Sequence, residues 1–150
     1  MSELFNTPFE SGLRAMLILF ASDSRGMTID RIVAYDFMTI YCSELGFSEN
    51  NLHGINHFSF SELSSKRSIC SEGIKAFVLD GLIAVVHSQE GFSYSITPSG
   101  KKYVKRLESN YKTQYLKVLN EVQNKYDNVP DTELIKIIND AAVKALRREP

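Results

Sequence analysis

Residues 61–108 read SELSSKRSICSEGIKAFVLDGLIAVVHSQEGFSYSITPSGKKYVKRLE, and the pattern of this stretch decides the fold. Leu63, Cys70, Ile74, Phe77 and Val78 recur at helical spacing. Asp80-Gly81 stops that helix. Leu82 to Val86 is a short β-prone run, and Gln89-Glu90-Gly91 is a turn signal. Phe92 to Ile96 alternates apolar and polar, as a half-buried strand does. Thr97 is then placed to cap a new helix, with Pro98 at its first position.

Helix, hairpin, helix in that order is the second half of a winged helix. The expected fold class is therefore mainly α with a small β-hairpin: a winged-helix-like domain flanked by N- and C-terminal helices. Ser59 to Glu62 form a capping-box pattern. The helix after it either runs unbroken to Asp80 or turns near Arg67-Ser68, which would give a helix-turn-helix.

Upstream, Thr7-Pro8-Phe9-Glu10 is another capped helix start. Phe9, Leu13, Met16, Leu17 and Phe20 form its stripe, and Ile18 and Leu19 widen it, so burial on more than one side is expected. Thr28 opens a second helix with Asp30 in its first turn. Its stripe is Ile29, Ile32, Val33, Phe37, Ile40 and Tyr41, and Gly46 is the expected stop. Asp36 lies beside that stripe. It reads either as a solvated carboxylate at the edge of the apolar face or as a buried partner of Arg14 or Arg31. Downstream, Val104, Leu107, Tyr111, Tyr115, Val118 and Val122 step by three or four, which predicts one long helix from Pro98 to about Tyr126. Asp127 to Pro130 break it, and Leu134, Ile135, Ile138, Ala142 and Ala145 mark a last helix. A chain of 150 residues with this layout is expected to be a single domain. It comprises N-terminal helices at 8–45, the winged half at 61–108 and C-terminal helices at 98–147.

The net charge of −1 gives no overall pull toward nucleic acid or membrane. Residues 1–60 hold 3 basic and 7 acidic groups, and residues 61–110 hold 7 and 5, so a small basic excess sits on the winged half. Cys42 and Cys70 both fall in apolar helical pattern and read as core thiols. The N-terminus has no signal-peptide pattern, and the apolar run at 15–21 is too short to span a bilayer. A cytoplasmic protein with no membrane partner is expected.

Catalytic patterns are weak. His53 and His57 lack the close cysteine pair of a zinc site. Ser99-Gly100-Lys101-Lys102 lacks the upstream glycine and the following Ser/Thr of a phosphate loop. No nucleophile elbow appears, and His87 near the wing turn reads as solvated. No enzyme activity and no cofactor are expected. DNA reading by a winged helix needs basic or amide groups on the outward face of the recognition helix. That face would present Ser68, Ser71, Glu72, Lys75 and Leu79 or Asp80, and Gln89-Glu90 would form the wing tip. Lys66, Arg67, Lys101, Lys102, Lys105 and Arg106 are the candidate DNA or phosphate contacts. A protein-binding winged module fits these faces better than a DNA reader.

Four stretches resemble a known family. They are Asn6-Thr7-Pro8-Phe9-Glu10-Ser11-Gly12-Leu13-Arg14; Asp30 to Phe37; Leu52-His53-Gly54 with Ser61-Glu62-Leu63; and Gly73 to Ile83 with Ile96 to Gly100. Together they resemble the middle component of bacterial ABC-three-component systems, the small accessory subunit of Lamassu-like defence operons. Thr7 is an extra residue relative to that pattern, and Gly54 replaces its proline. The resemblance implies a non-catalytic subunit that bridges an SMC-like ATPase and an effector, commonly a nuclease, in an anti-phage or anti-plasmid complex that meets DNA. The alternative is a winged-helix DNA-binding transcription regulator. Leu52, Ile55, Phe58 and Phe60, in the long loop at 47–60, are the candidate protein interface, since aromatic clusters anchor interfaces. Arg14 and Asp36 are the candidate structural ion pair.

Overall fold

The computed structural model describes residues 7–22, 26–43, 45–47, 52, 61–89 and 91–148, with side chains except at 61–64, 142 and 145–148. Among the described residues the elements are α1 (Pro8–Ala21), α2 (Ile29–Ile40), α3 (Ser61–Leu79), β1 (Ile83–Ser88), β2 (Gly91–Ile96), α4 (Pro98–Arg106), α5 (Asn110–Tyr126) and α6 (Asp131–Arg148). The protein is mainly α-helical with one antiparallel hairpin, and a winged-helix-like arrangement is compatible with it.

Three helix starts use the caps that the sequence offers. The Oγ1 atoms of Thr7, Thr28 and Thr97 accept from the amides of Glu10, Arg31 and Gly100 at 3.2, 3.2 and 3.0 Å. Each satisfies an amide that has no partner within its helix. α2 is the central element: every residue from Ile32 to Ile40 is buried. It packs against α1, α3, α5 and α6, which explains why its sequence is apolar beyond one stripe. α1 is likewise buried continuously from Arg14 to Leu19. Phe9, at the head of its stripe, is instead exposed, with its ring 6.0 Å from that of Phe77.

α1 and α3 meet at two glycines. A Cβ on Gly73 would stand 2.2 Å from the Pro8 carbonyl oxygen and 2.8 Å from the Gly12 amide nitrogen. A Cβ on Gly12 would stand 2.6 Å from the Phe77 ring. The two backbones touch because neither residue carries a side chain. α3 runs unbroken past Arg67-Ser68, so the turn that would have made a helix-turn-helix there is absent.

Two helix ends differ from the sequence reading. α2 stops at Ile40 rather than near Gly46. Tyr41 leaves helical geometry at ψ 40°, the Leu52 amide takes the Ile40 carbonyl at 3.1 Å, and the Phe47 amide takes that of Cys42 at 2.9 Å. The long helix after Pro98 is two helices. Leu107 turns extended at ψ 120°, and Ser109 caps α5 by accepting from the Lys112 amide at 3.1 Å. Lys112 Nζ then donates to the carbonyls of Val104 and Leu107 at 2.7 and 2.8 Å, covering acceptors at the α4 end. The apolar stripe continues across the break, which is why periodicity alone did not reveal it.

Arg31 fastens the C-terminal helix. Its Nε is 2.7 Å from Asp131 Oδ1, and its terminal nitrogens donate to Tyr35 Oη at 2.7 Å and to the Val129 carbonyl. Thr28 Oγ1 donates to the other Asp131 oxygen at 2.6 Å. The start of α2 and the start of α6 are thereby joined across 100 residues of chain. Arg31→Met keeps much of the stem and removes these bonds. It is expected to cost about 2 kcal/mol, discounted for partial solvent exposure of the pair, read as a lower urea midpoint at unchanged slope.

Candidate functional site

The most strongly perturbed group of charges lies inside the helical core. Arg14 on α1 and Asp36 on α2 are 2% and 4% exposed, and Arg14 Nε is 2.9 Å from Asp36 Oδ1. Tyr115, fully buried on α5, donates its hydroxyl to the same oxygen at 2.5 Å. Arg31, the other cation that sequence offered as a partner for Asp36, goes to Asp131 instead.

The electrostatics follow from burial opposed by neighbours. Burial alone would raise the Asp36 pKa, but Arg14, Lys66 and the Tyr115 hydrogen bond outweigh it and hold the carboxyl below its usual range. Burial disfavours the Arg14 charge, yet Asp36 keeps the guanidinium charged. The Tyr115 phenol is pushed well up, first by burial and then by the adjacent carboxylate. Cys70 is pushed up to about 12, again by burial first and Asp36 second. Near neutral pH these groups therefore keep fixed protonation states. Arg14 Nη1 is buried and has no hydrogen-bond partner among the described residues. The cluster ties α1, α2 and α5 together at one point. A hollow of about 340 Å³ opens beside it, between α1 and the α4–α5 joint, floored by Leu13, Leu17 and Leu107.

The six candidate phosphate-binding cations are not equivalent. Lys66 is only 8% exposed and acts on Asp36, which sets it apart from the exposed cations of the group. The cause is helical phase: Lys66 lies four residues before Cys70 and eight before Ile74, on the inward stripe of α3. Arg67 Nε is 2.8 Å from Asp30 Oδ1, an exposed pair that contributes little to stability. On α4, Lys101 is half-buried, while Lys102, Lys105 and Arg106 are exposed. The outward side of α3 presents Ser68, Glu72, Lys75, Leu79 and Asp80 to solvent.

Of the four candidate interface residues, only Leu52 is among the described residues, half-buried against the core. Ile55, Phe58 and Phe60 lie outside them, as do His53, His57 and Glu90. Sequence reasoning missed the exposed apolar side chains of the hairpin, Val85, Val86 and Phe92. The available signal was a β1 strand with no charged residue in it.

No helix among the described residues is long and apolar enough to cross a membrane. No curated protein and no solved structure shows significant similarity to the chain. The model of one protein family does match it, over residues 4–148. That span includes the capped start of α1, the Arg14–Asp36 pair and the hairpin, so the chain belongs to the family of ABC-three component (ABC-3C) system Middle Component 2.

Proposed function

We propose that this chain is a non-catalytic accessory subunit that bridges an SMC-like ATPase and an effector, a nuclease, in a Lamassu-like bacterial defence complex of the cytoplasm. The observation that carries the reading is the family match across nearly the whole chain, which places the protein in a system of several components. The interior supports it. Arg14, Asp36 and Tyr115 are 4% exposed or less, and the guanidinium and the neutral phenol both donate to the one carboxylate, an arrangement suited to holding helices in register. The exterior supports it too. Glu72 and Asp80 stand exposed on the side of α3 that a DNA-reading winged helix would turn toward phosphates, where they would repel them. In this reading DNA is met by the complex, with Lys102, Lys105 and Arg106 on α4 as this subunit's own contribution. Leu52, Ile55, Phe58 and Phe60 serve as one protein contact.

Co-expression with the neighbouring operon products, followed by purification through a tag on this chain, tests the proposal. An ATPase with a long coiled coil and an effector should co-purify in fixed ratio. Isolation of this chain alone, together with a salt-dependent shift of its own promoter DNA, would replace the subunit with a transcription regulator.

A further inference from the structure

We propose that the outer edge of β1 is a docking edge, at which an extended, uncharged strand of another component of the system adds to the hairpin. The inference rests on the accessory-subunit reading. Its geometry starts from Met27, which exchanges both backbone hydrogen bonds with Tyr94, at 2.9 and 2.8 Å. In an antiparallel ladder a residue's N–H and C=O point to the same side, and the side alternates along the strand. Tyr94 thus turns both groups away from its β1 partner, Val85. Val85 must then turn its own groups outward, and so must Ile83 and His87, two residues to either side. β2 is bonded on both flanks, by β1 and by Met27, while among the described residues no strand lies along the outer side of β1. Among the described residues nothing bonds to the outward N–H and C=O of Val85.

Proteins blunt such edges with charges, prolines or bulges, because an open row of donors and acceptors templates another strand. Ile83 to Ser88 reads IAVVHS, with none of these guards. Apolar side chains flank the edge on both faces. Val85 is 43% exposed on the core-side face and Val86 58% on the other, while Phe92, on β2, backs His87 with the two rings 4.6 Å apart. An exposed apolar patch of this kind marks an interaction site. A strand that adds here is read through its backbone, with alternate side chains meeting Val85 and His87 above and Val86 below. With no charge on the edge, the incoming strand needs none.

A second copy of this chain is the weaker occupant. Two six-residue strands paired about a two-fold axis extend about 20 Å. Alone they fall short of the roughly 800 Å² per partner that a stable interface buries. A strand of a component that also holds this chain elsewhere is free of that limit.

Two variants test the edge in the co-expressed complex. Val85→Pro removes an outward N–H and none of the hairpin's own bonds. Val85→Lys installs the missing guard charge. Circular dichroism and thermal unfolding establish that each is folded, and Val85→Lys decides if the proline variant is not. Each folded variant is expected to weaken association at least tenfold. The amides of Val85 and His87 are expected to exchange hydrogen more slowly in the wild-type complex than in the free chain. Unchanged affinity with unprotected β1 amides in an intact complex overturns the docking edge and leaves the subunit reading standing. Failure of the wild-type chain to join any complex overturns both. A dimer of this chain alone that Val85→Lys dissociates makes the occupant a second copy and overturns the proposal.

Discussion

Asp36→Ala is expected to destabilise the protein by about 3–5 kcal/mol, the cost of leaving one member of a buried ion pair uncompensated. Arg14 is 2% exposed, and its Nη1 already has no partner among the described residues. The Tyr115 hydroxyl would lose its acceptor in the same step. Urea unfolding should show a lower midpoint at unchanged slope. The double variant Arg14→Met/Asp36→Leu should recover much of the loss, because an apolar pair of similar volume leaves no charge buried. Acid titration provides an independent check. The Asp36 carboxyl is held below its ordinary value of 3.8 in the fold. A depressed carboxylate contributes stability that is fully present above the unfolded value and is lost as pH falls through the folded one. The wild type should therefore lose stability steadily below about pH 3.8, and Asp36→Ala should lack that component of the slope. Parallel Tm profiles for the two proteins would show that the pair is not what stabilises the core.

Gly73→Ala should destabilise by at least about 2 kcal/mol, against the usual rule. Replacing glycine by alanine inside a helix normally stabilises by about 0.5–1 kcal/mol. Here the added methyl would sit 2.2 Å from the Pro8 carbonyl oxygen, a backbone atom that can move only if α1 moves. Overpacking of that kind costs about 1–3 kcal/mol and sometimes more, so the steric effect wins. Gly12→Ala meets the Phe77 ring first, a side chain that can shift, and should cost less. Thermal unfolding of the two variants side by side reads the difference. A neutral Gly73→Ala would mean that the α1–α3 crossing is looser than described.

These positions show what the sequence could and could not convey. Local rules placed the helix starts well, because Thr7, Thr28 and Thr97 act within three residues of themselves. Alternation and the Gly91 turn located the hairpin for the same reason. The break at Leu107 to Ser109 escaped, since two successive helices kept one apolar stripe in phase. Lys66 falls among the candidate phosphate contacts in the sequence, although its spacing from Cys70 and Ile74 puts it on the inward stripe. The Arg31–Asp131 link and the Gly12–Gly73 contact depend on which helices meet, and no local pattern encodes that. Asp36 stands out in the sequence as a carboxylate beside an apolar stripe, with Arg14 or Arg31 as its partner, and only the geometry decides for Arg14. The open edge of β1 required the Met27–Tyr94 bridge, which joins residues 67 positions apart.

The most direct measurement is the composition and mass of the complex formed when this chain is co-expressed with its operon neighbours, read by size-exclusion chromatography with light scattering. One species that contains this chain with another component, and that survives dilution, is the expected result. Elution of this chain by itself, with the other components assembled without it, would contradict its role as a subunit.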